Sequence, residues 1–262
     1  MPTPRHTLVT GANRGLGLEF TRQLLVRGDR VVATCRRPGK ATALNRLAGE
    51  HPGHLHVLPL DVAEPASHAE LVRELPLVLG AQGRLDMLVN NAGGSPYAEA
   101  ATASPRFSES ILRLNLLAPL NMAQQAYQVM QHQPEGGVII FVGSVSASRP
   151  SPGTAVYGAA KAGIVALASS LAVEWGPKVR VLTISPGLIR TEQSHLHYGD
   201  DDGIAAVGAG IPAGRMGEPE DIANACLYAA SPMAAYFSGT NLLLHGGGER
   251  PSFLADSNAG KA

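Results

Sequence analysis

Short runs of β-branched and aliphatic residues alternate along the chain with longer stretches whose apolar positions recur at helical spacing. Thr7–Thr10, Arg30–Thr34, Leu55–Leu60, Leu85–Asn90, Gly137–Val142, Lys178–Ile184 and Asn241–His245 predict strands. Gly15–Arg27, Ala66–Gln82, Pro105–Gln131, Thr154–Trp175 and Pro219–Ala230 predict helices. The strand runs are almost continuously apolar, as a parallel sheet covered on both faces requires. No linker, repeat or composition shift divides the chain. The alternation therefore predicts one α/β domain over residues 1–262, a Rossmann-like doubly wound parallel sheet of about seven strands with helices on both faces.

Two segments depart from that rhythm. Residues 191–212 contain Tyr198-Gly199-Asp200-Asp201-Asp202-Gly203 with His195 and His197 just before, and they follow a strand end. Open α/β sheets build ligand sites there, so the segment reads as a substrate loop or lid, against the plainer reading of a solvated connection. The tail, residues 249–262, is rich in small and polar residues and is expected to be partly loose, with Pro251, Phe253 and Leu254 available to pack on a neighbour.

Composition narrows the class. The 262 residues are 45% apolar and 16% charged, enough to form a core, which excludes global disorder. Twenty-one basic residues balance twenty-one acidic ones, so a general binder of nucleic acid or of anionic membrane is not expected. Cys35 and Cys226 are too few for a disulfide framework, and no His/Asp/Glu cluster has metal-ligand spacing. The first ten residues hold no signal-peptide core, and no segment is expected to approach a transmembrane span. The expected setting is the reducing cytoplasm.

Chemistry begins at Thr10-Gly11-Ala12-Asn13-Arg14-Gly15-Leu16-Gly17, between the first strand and the first helix. Glycines there permit a tight turn and bring a pyrophosphate close to backbone N–H groups at the positive helix end. The second strand ends Cys35-Arg36-Arg37 with no acid to hold a ribose 2′-hydroxyl, and Arg14 lies in the glycine loop. Cations converging on a 2′-phosphate point to NADP(H); a solvated surface pair is the plain alternative. Tyr157 and Lys161 are four residues apart on one helix face. A phenol with pKa of about 10 needs a shift of about three units, or roughly 4 kcal/mol, to serve as acid/base near neutrality. The nearby ammonium is expected to supply much of it, helped by an oxidised nicotinamide ring. Ser144 follows the fifth strand and Asn115 sits inside an apolar helix. Asn90-Asn91-Ala92-Gly93 ends the fourth strand, and Pro186-Gly187 with Thr191 follows the sixth. All fall at carboxyl ends of strands, where a shared crevice forms.

Taken together, Thr-Gly-x-x-x-Gly-x-Gly, Asn-Asn-Ala-Gly, a helical Asn, Ser, Tyr-x-x-x-Lys and Pro-Gly, in this order from about Thr7 to Gly248, resemble the short-chain dehydrogenase/reductase family. The resemblance implies that Tyr157 is the general acid/base and that Lys161 holds the nicotinamide ribose and lowers the tyrosine pKa. It implies that Ser144 orients the reacting oxygen and that Asn115 supports a water feeding a proton relay. It places Gly11, Asn13, Arg14, Gly15, Leu16 and Gly17 under the phosphates and Asp61 with Val62 against the adenine. Asn91, Ala92 and Gly93 fall along its ribose, and Pro186, Gly187, Ile189 and Thr191 around the nicotinamide. Arg14 and Arg36 match positions that NADP(H)-preferring members make basic.

The implied reaction is hydride transfer between NADP(H) and a carbonyl or secondary alcohol. The first half looks like carbonyl-reductase-type members, the second like bacterial 3-oxoacyl-carrier-protein reductases. Gln124–Val138 contains no Lys or Arg and the lid carries three aspartates, which weighs against an acidic carrier protein and for a small or apolar free substrate or a CoA ester. A 3-oxoacyl thioester reductase stands as one alternative, and a non-catalytic NADP(H) sensor as another. A sugar-nucleotide epimerase shares Tyr-x-x-x-Lys but not the glycine spacing. His195, His197 and Tyr198 read as lid-surface or packing residues before substrate contacts. By resemblance the apolar faces of Pro105–Gln131 and Thr154–Trp175 pair across a twofold axis, and Leu242–Gly247 forms a second interface. A homotetramer is expected, with a dimer as the second choice.

Overall fold

The structure is a computed structural model describing residues 4–79 and 84–253. Seven parallel strands are β1 (His6–Val9), β2 (Arg30–Cys35), β3 (Leu55–Pro59), β4 (Met87–Asn90), β5 (Gly137–Val142), β6 (Val179–Pro186) and β7 (Asn241–Leu244). They lie in the order β3-β2-β1-β4-β5-β6-β7. The helices are α1 (Gly15–Val26), α2 (Thr42–Glu50), α3 (Pro65–Leu79), α4 (Pro105–Leu112), α5 (Ala118–Met130), α6 (Ala155–Trp175), α7 (His195–Tyr198), α8 (Asp201–Gly210) and α9 (Pro219–Ala230).

Side-chain alternation splits the apolar residues between two cores. Leu8 aligns with Val32 and Leu88, and Leu88 with Ile139; all four pack with Leu71 of α3, Met122 of α5 and Ile164 of α6. One residue on, Val9 aligns with Ala33 and Val89, and Val89 with Ile140. These pack on the other face with Phe20 of α1, Leu44 of α2 and Ile222 of α9. A strand buried on both faces has no polar side to show, which is why these runs are apolar throughout. Strands are added outward in one direction from β1 to β3 and in the other from β4 to β7, and the crevice opens at this switch between β1 and β4.

The predicted strands and the doubly wound sheet are all present. Helix prediction needs three corrections. The single helix expected over Pro105–Gln131 is interrupted by a π-helical turn, Arg113–Leu117. Helix α2 was not predicted, and its nine residues are too few for periodicity to stand out. The segment read as a loop over 191–212 folds mostly as α7 and α8. Asp200 is the N-cap of α8, accepting from the Gly203 N–H at 3.0 Å, and Asp201 and Asp202 occupy its first turn. The aspartate run is therefore helix-start chemistry. The predicted end of the third helix, Gln82, and the tail residue Leu254 lie outside the described residues.

The expectation that no segment approaches a membrane span is also overturned on length and composition. Helix α6 has 21 residues and a mean hydropathy of 1.5 over its best window. One face, with Ile164, Ala168, Leu171 and Trp175, is buried in the sheet's core, and the opposite face is a run of small residues.

Candidate active site

The glycine loop joins β1 to α1 across the crevice. Gly11 adopts φ +65°, and a Cβ there would lie 2.9 Å from the Ala92 Cα, so loop and β4 end touch backbone to backbone. Gly17 packs as closely: a Cβ would collide with the Gly11 carbonyl oxygen. Thr10 ties the two strand ends together. Its hydroxyl accepts from the N–H groups of Asn91 and Ala92, both at 3.0 Å, while Asn91 Nδ2 donates to the carbonyls of Thr10 and Gly11.

Helix α1 starts without a side-chain cap. The Gly15 N–H instead donates to Glu192 Oε1 at 3.0 Å, so an anionic oxygen already sits at the helix end that the phosphates would use. The glycine cradle and the Gly15 N–H fit a pyrophosphate oxygen once the Glu192 carboxylate yields that place.

At the other end of the cleft, β5 delivers Ser144 and α6 delivers Tyr157 and Lys161. Ser144 Oγ accepts from the Ser146 N–H at 3.1 Å, which leaves its own hydrogen to donate. Lys161 Nζ donates to the Val142 carbonyl at 2.7 Å and lies 5.5 Å from the centre of the Tyr157 ring. Burial lowers its pKa to about 8. Burial likewise raises the Tyr157 phenol above its ordinary value, partly opposed by the Ser144 hydroxyl. Among the chain's own groups, then, desolvation favours the neutral phenol, and the Ser144 hydroxyl is the group that opposes it.

Asn115 is fully buried in the π-turn, behind the cleft wall. Its amide clamps one residue twice, accepting from the Gly94 N–H at 2.9 Å and donating to the Gly94 carbonyl at 2.9 Å. A third bond runs from Nδ2 to the Ile111 carbonyl at 3.0 Å. A Cβ on Gly93 would lie 2.8 Å from Asn115 Oδ1 and 3.4 Å from Lys161 Nζ, so this glycine admits both. Both amide hydrogens are engaged, which makes Asn115 the support of the β4 loop.

One cleft of about 610 Å³ gathers these groups. Gly11, Asn13, Arg14, Gly15, Leu16, Arg36, Asp61, Val62, Asn91, Ala92, Gly93, Ser144, Tyr157, Lys161, Pro186, Gly187, Ile189 and Thr191 line it. Gly17 and Asn115 do not; they stand behind the wall. Arg14 and Arg36 are exposed and form no ion pair among the described residues. Arg37 is not part of the lining. Of the lid residues, His195 and His197 are exposed away from the cleft lining while Tyr198 lines it. Sequence reasoning missed Glu192 and the Thr10 hydroxyl. Glu192 directly follows the predicted Thr191, but its bond to Gly15 joins residues 177 apart.

The family model described as enoyl-(acyl carrier protein) reductase matches residues 11–249. The chain belongs to the short-chain dehydrogenase/reductase family. It is 34% identical over 241 residues to the 3-oxoacyl-[acyl-carrier-protein] reductase FabG of Vibrio harveyi, covering 92% of this chain and 95% of that one. It is 33% identical over 246 residues to the L-rhamnose 1-dehydrogenase (NAD(P)(+)) of Azotobacter vinelandii, covering 92% and 94%. A solved structure titled short chain dehydrogenase/reductase family protein superposes with a TM-score of 0.82 at 32% identity, over 95% of this chain and 99% of that one. Members of the family are oxidoreductases that use NAD(P)(H), and so is this chain.

Proposed function

We propose that this short-chain dehydrogenase/reductase transfers hydride between NADP(H) and a carbonyl or secondary-alcohol carbon of a small substrate, with Tyr157 as general acid/base. The observation that carries the reading is the convergence of Ser144, Tyr157 and Lys161 on one end of a cleft whose other end carries the glycine loop, Arg14 and Arg36.

When bound, the dinucleotide supplies the hydride and, oxidised, a positively charged ring. The chain supplies the rest. Gly11 to Gly17 and the α1 start hold the phosphates, with Glu192 yielding the Gly15 N–H. Asp61 and Val62 flank the adenine, Asn91 to Gly93 its ribose, and Pro186 to Thr191 the nicotinamide side. Arg14 and Arg36 give the site its preference for a 2′-phosphate. Ser144 donates to the substrate oxygen. Tyr157, held protonated by its buried setting, delivers a proton to that oxygen in reduction. Lys161 is anchored through the Val142 carbonyl, and its remaining N–H groups are left for a ribose hydroxyl. Asn115 fixes the Gly93–Gly94 turn on which Lys161 closes.

Oxidation of NADPH in the presence of a ketone panel tests this. Tyr157→Phe should lower turnover about a hundredfold or more, the usual contribution of a positioned proton donor, while nucleotide still binds. Turnover retained by the variant would defeat the assignment and favour another proton carrier. No turnover by the parent enzyme, with nucleotide bound, would favour a sensor.

A second reading, reduction of a 3-oxoacyl thioester, draws support from the names of the family model and of the Vibrio relative. Acetoacetyl-CoA in the same panel separates it from the free-ketone reading. For assembly, the apolar outer face of α6 favours a homo-oligomer, with four copies before two. Both cysteines are buried free thiols, which supports a reducing, cytoplasmic setting.

A further inference from the structure

A second cavity of about 350 Å³ adjoins the cleft, and Gly187 lines both. Its wall includes Val145, immediately after Ser144, together with Leu188, Ile211, Leu243, His245 and Arg149. Apart from His245, the charged or titratable side chains on that wall are Arg149 and Glu249.

Arg149 and Glu249 meet across this cavity. Arg149 Nη2 lies 2.9 Å from Glu249 Oε1, and Nη1 donates to the Pro150 carbonyl at 3.1 Å. Arg149 Nε is buried with no hydrogen-bond partner among the described residues. A buried guanidinium N–H without an acceptor is costly, so Arg149 gains from a rearrangement that gives Nε one. Glu249 reaches Arg149 only because Gly246, Gly247 and Gly248 take φ of +63°, +97° and +81° in succession, turning the chain back after β7. A Cβ on Gly248 would come within 3.2 Å of His245 Nε2, so the turn also packs tightly on the cavity wall. Glu249 itself is half exposed, its side chain 50% accessible, whereas Arg149 is 31% accessible. The carboxylate is therefore the more easily displaced partner. Tyr198, which lines the catalytic cleft, feels both charges, in keeping with the two cavities meeting at Gly187.

We infer that this cavity is the carboxylate end of the substrate site: Arg149 recognises the carboxylate of a short oxo acid or hydroxy acid, which takes the place Glu249 holds. The inference rests on the reductase reading, since it assigns a substrate class to that reaction. A carboxylate fits better than a phosphate dianion because the described cavity offers one guanidinium, and one of its terminal nitrogens already meets a single carboxylate oxygen.

The test compares an acid with its neutral ester. Levulinate and acetoacetate, each beside its methyl ester, are reduced by the parent enzyme, Arg149→Met, Arg149→Lys and Glu249→Gln, with kcat and KM measured separately. The parent should prefer at least one free acid over its ester. Arg149→Met should lower that acid-to-ester ratio of kcat/KM by about ten- to a hundredfold, mainly through KM. Lysine should restore part of the ratio, since it keeps the charge and loses the fork. Glu249→Gln, which leaves Arg149 in place, should raise the ratio severalfold. A parent without acid preference, or a ratio unmoved in Arg149→Met and Glu249→Gln, overturns the carboxylate assignment and leaves the Tyr157 chemistry standing. If the acid preference follows Arg149 but Tyr157→Phe still turns over, the proton-transfer reading fails and the carboxylate site survives. Should the parent reduce neither compound, calorimetric titration with levulinate decides: binding weakened in Arg149→Met supports the site, and equal binding overturns it.

Discussion

Burial moves Tyr157 and Lys161 in opposite directions, the phenol up and the ammonium down to about 8, and in both the neutral form is favoured. The four-residue spacing that joins them was legible in the sequence. The sign of the tyrosine shift was not, because desolvation depends on what α6 packs against. The lysine shift has a consequence for stability. Between about 8 and 10.5 the unfolded chain keeps a proton on Lys161 that the folded chain has released, so stability owed to this residue rises with pH across that window. Lys161→Met lacks this dependence. The unfolding free energy of the parent relative to that variant should increase by roughly 3 kcal/mol from pH 7 to pH 10, read as a rise in its relative melting temperature; a constant gap would show that the ammonium is not desolvated. Arg14 and Arg36 belong to the same scale. Replacing both with Ala and Ser should cut the ratio of NADPH to NADH efficiency by about tenfold or more, the worth of charge-assisted bonds to one phosphate. Steady-state kinetics with both cofactors reads it directly, and an unchanged ratio would place the selectivity elsewhere.

Among the elements, strands were read to within a residue or two at most ends, since a buried parallel strand advertises itself as an unbroken apolar run. The lid was not. Its helices α7 and α8 are short and weakly periodic, and Asp200 to Asp202 look like a charged loop until the bond from Gly203 shows them starting a helix. The π-turn at Arg113–Leu117 was equally hidden, although Asn115 gave it away in part: an amide in the middle of an apolar helix needs partners, and Gly94 and Ile111 provide them. Asn115→Leu would leave the N–H and carbonyl of Gly94 without partners inside the fold. It should lower stability by about 3 kcal/mol and loosen the β4 loop beside Lys161, so KM for the nucleotide should rise together with the fall in melting temperature. Asn115→Leu melting like the parent would mean that water replaces the clamp. The same logic explains why Glu192 escaped notice, for its partner Gly15 sits at the far side of the sheet's switch point.

At the scale of the whole molecule, helix α6 has one face in the core beside the cleft and the other on the surface. Its inner face seats Ile164, Ala168, Leu171 and Trp175 against the sheet and aims Lys161 at the cleft. Its outer face presents Ala155, Ala159, Ala162, Ala166, Ser169, Ser170 and Val173, all exposed and following the helical repeat. Leu112 and Leu117, 36% and 49% accessible, sit on the neighbouring helical layer. A helix apolar on both sides explains its membrane-like hydropathy, and small side chains let a second helix approach closely. Ordinary surface helices carry charges there, and the outward positions of this one carry none until Glu174. A twofold contact of α6 with its own copy would bury that stripe and stiffen the helix that holds Tyr157 and Lys161. Light scattering should therefore give a mass two or four times 27.2 kDa. Ala166→Glu, placing like charges opposite each other at the centre of such a contact, should shift the mass toward 27.2 kDa and reduce turnover with it. A parent protein that already runs as a monomer, or a glutamate variant that keeps the full mass, would leave the stripe without a partner and detach oligomerisation from this helix.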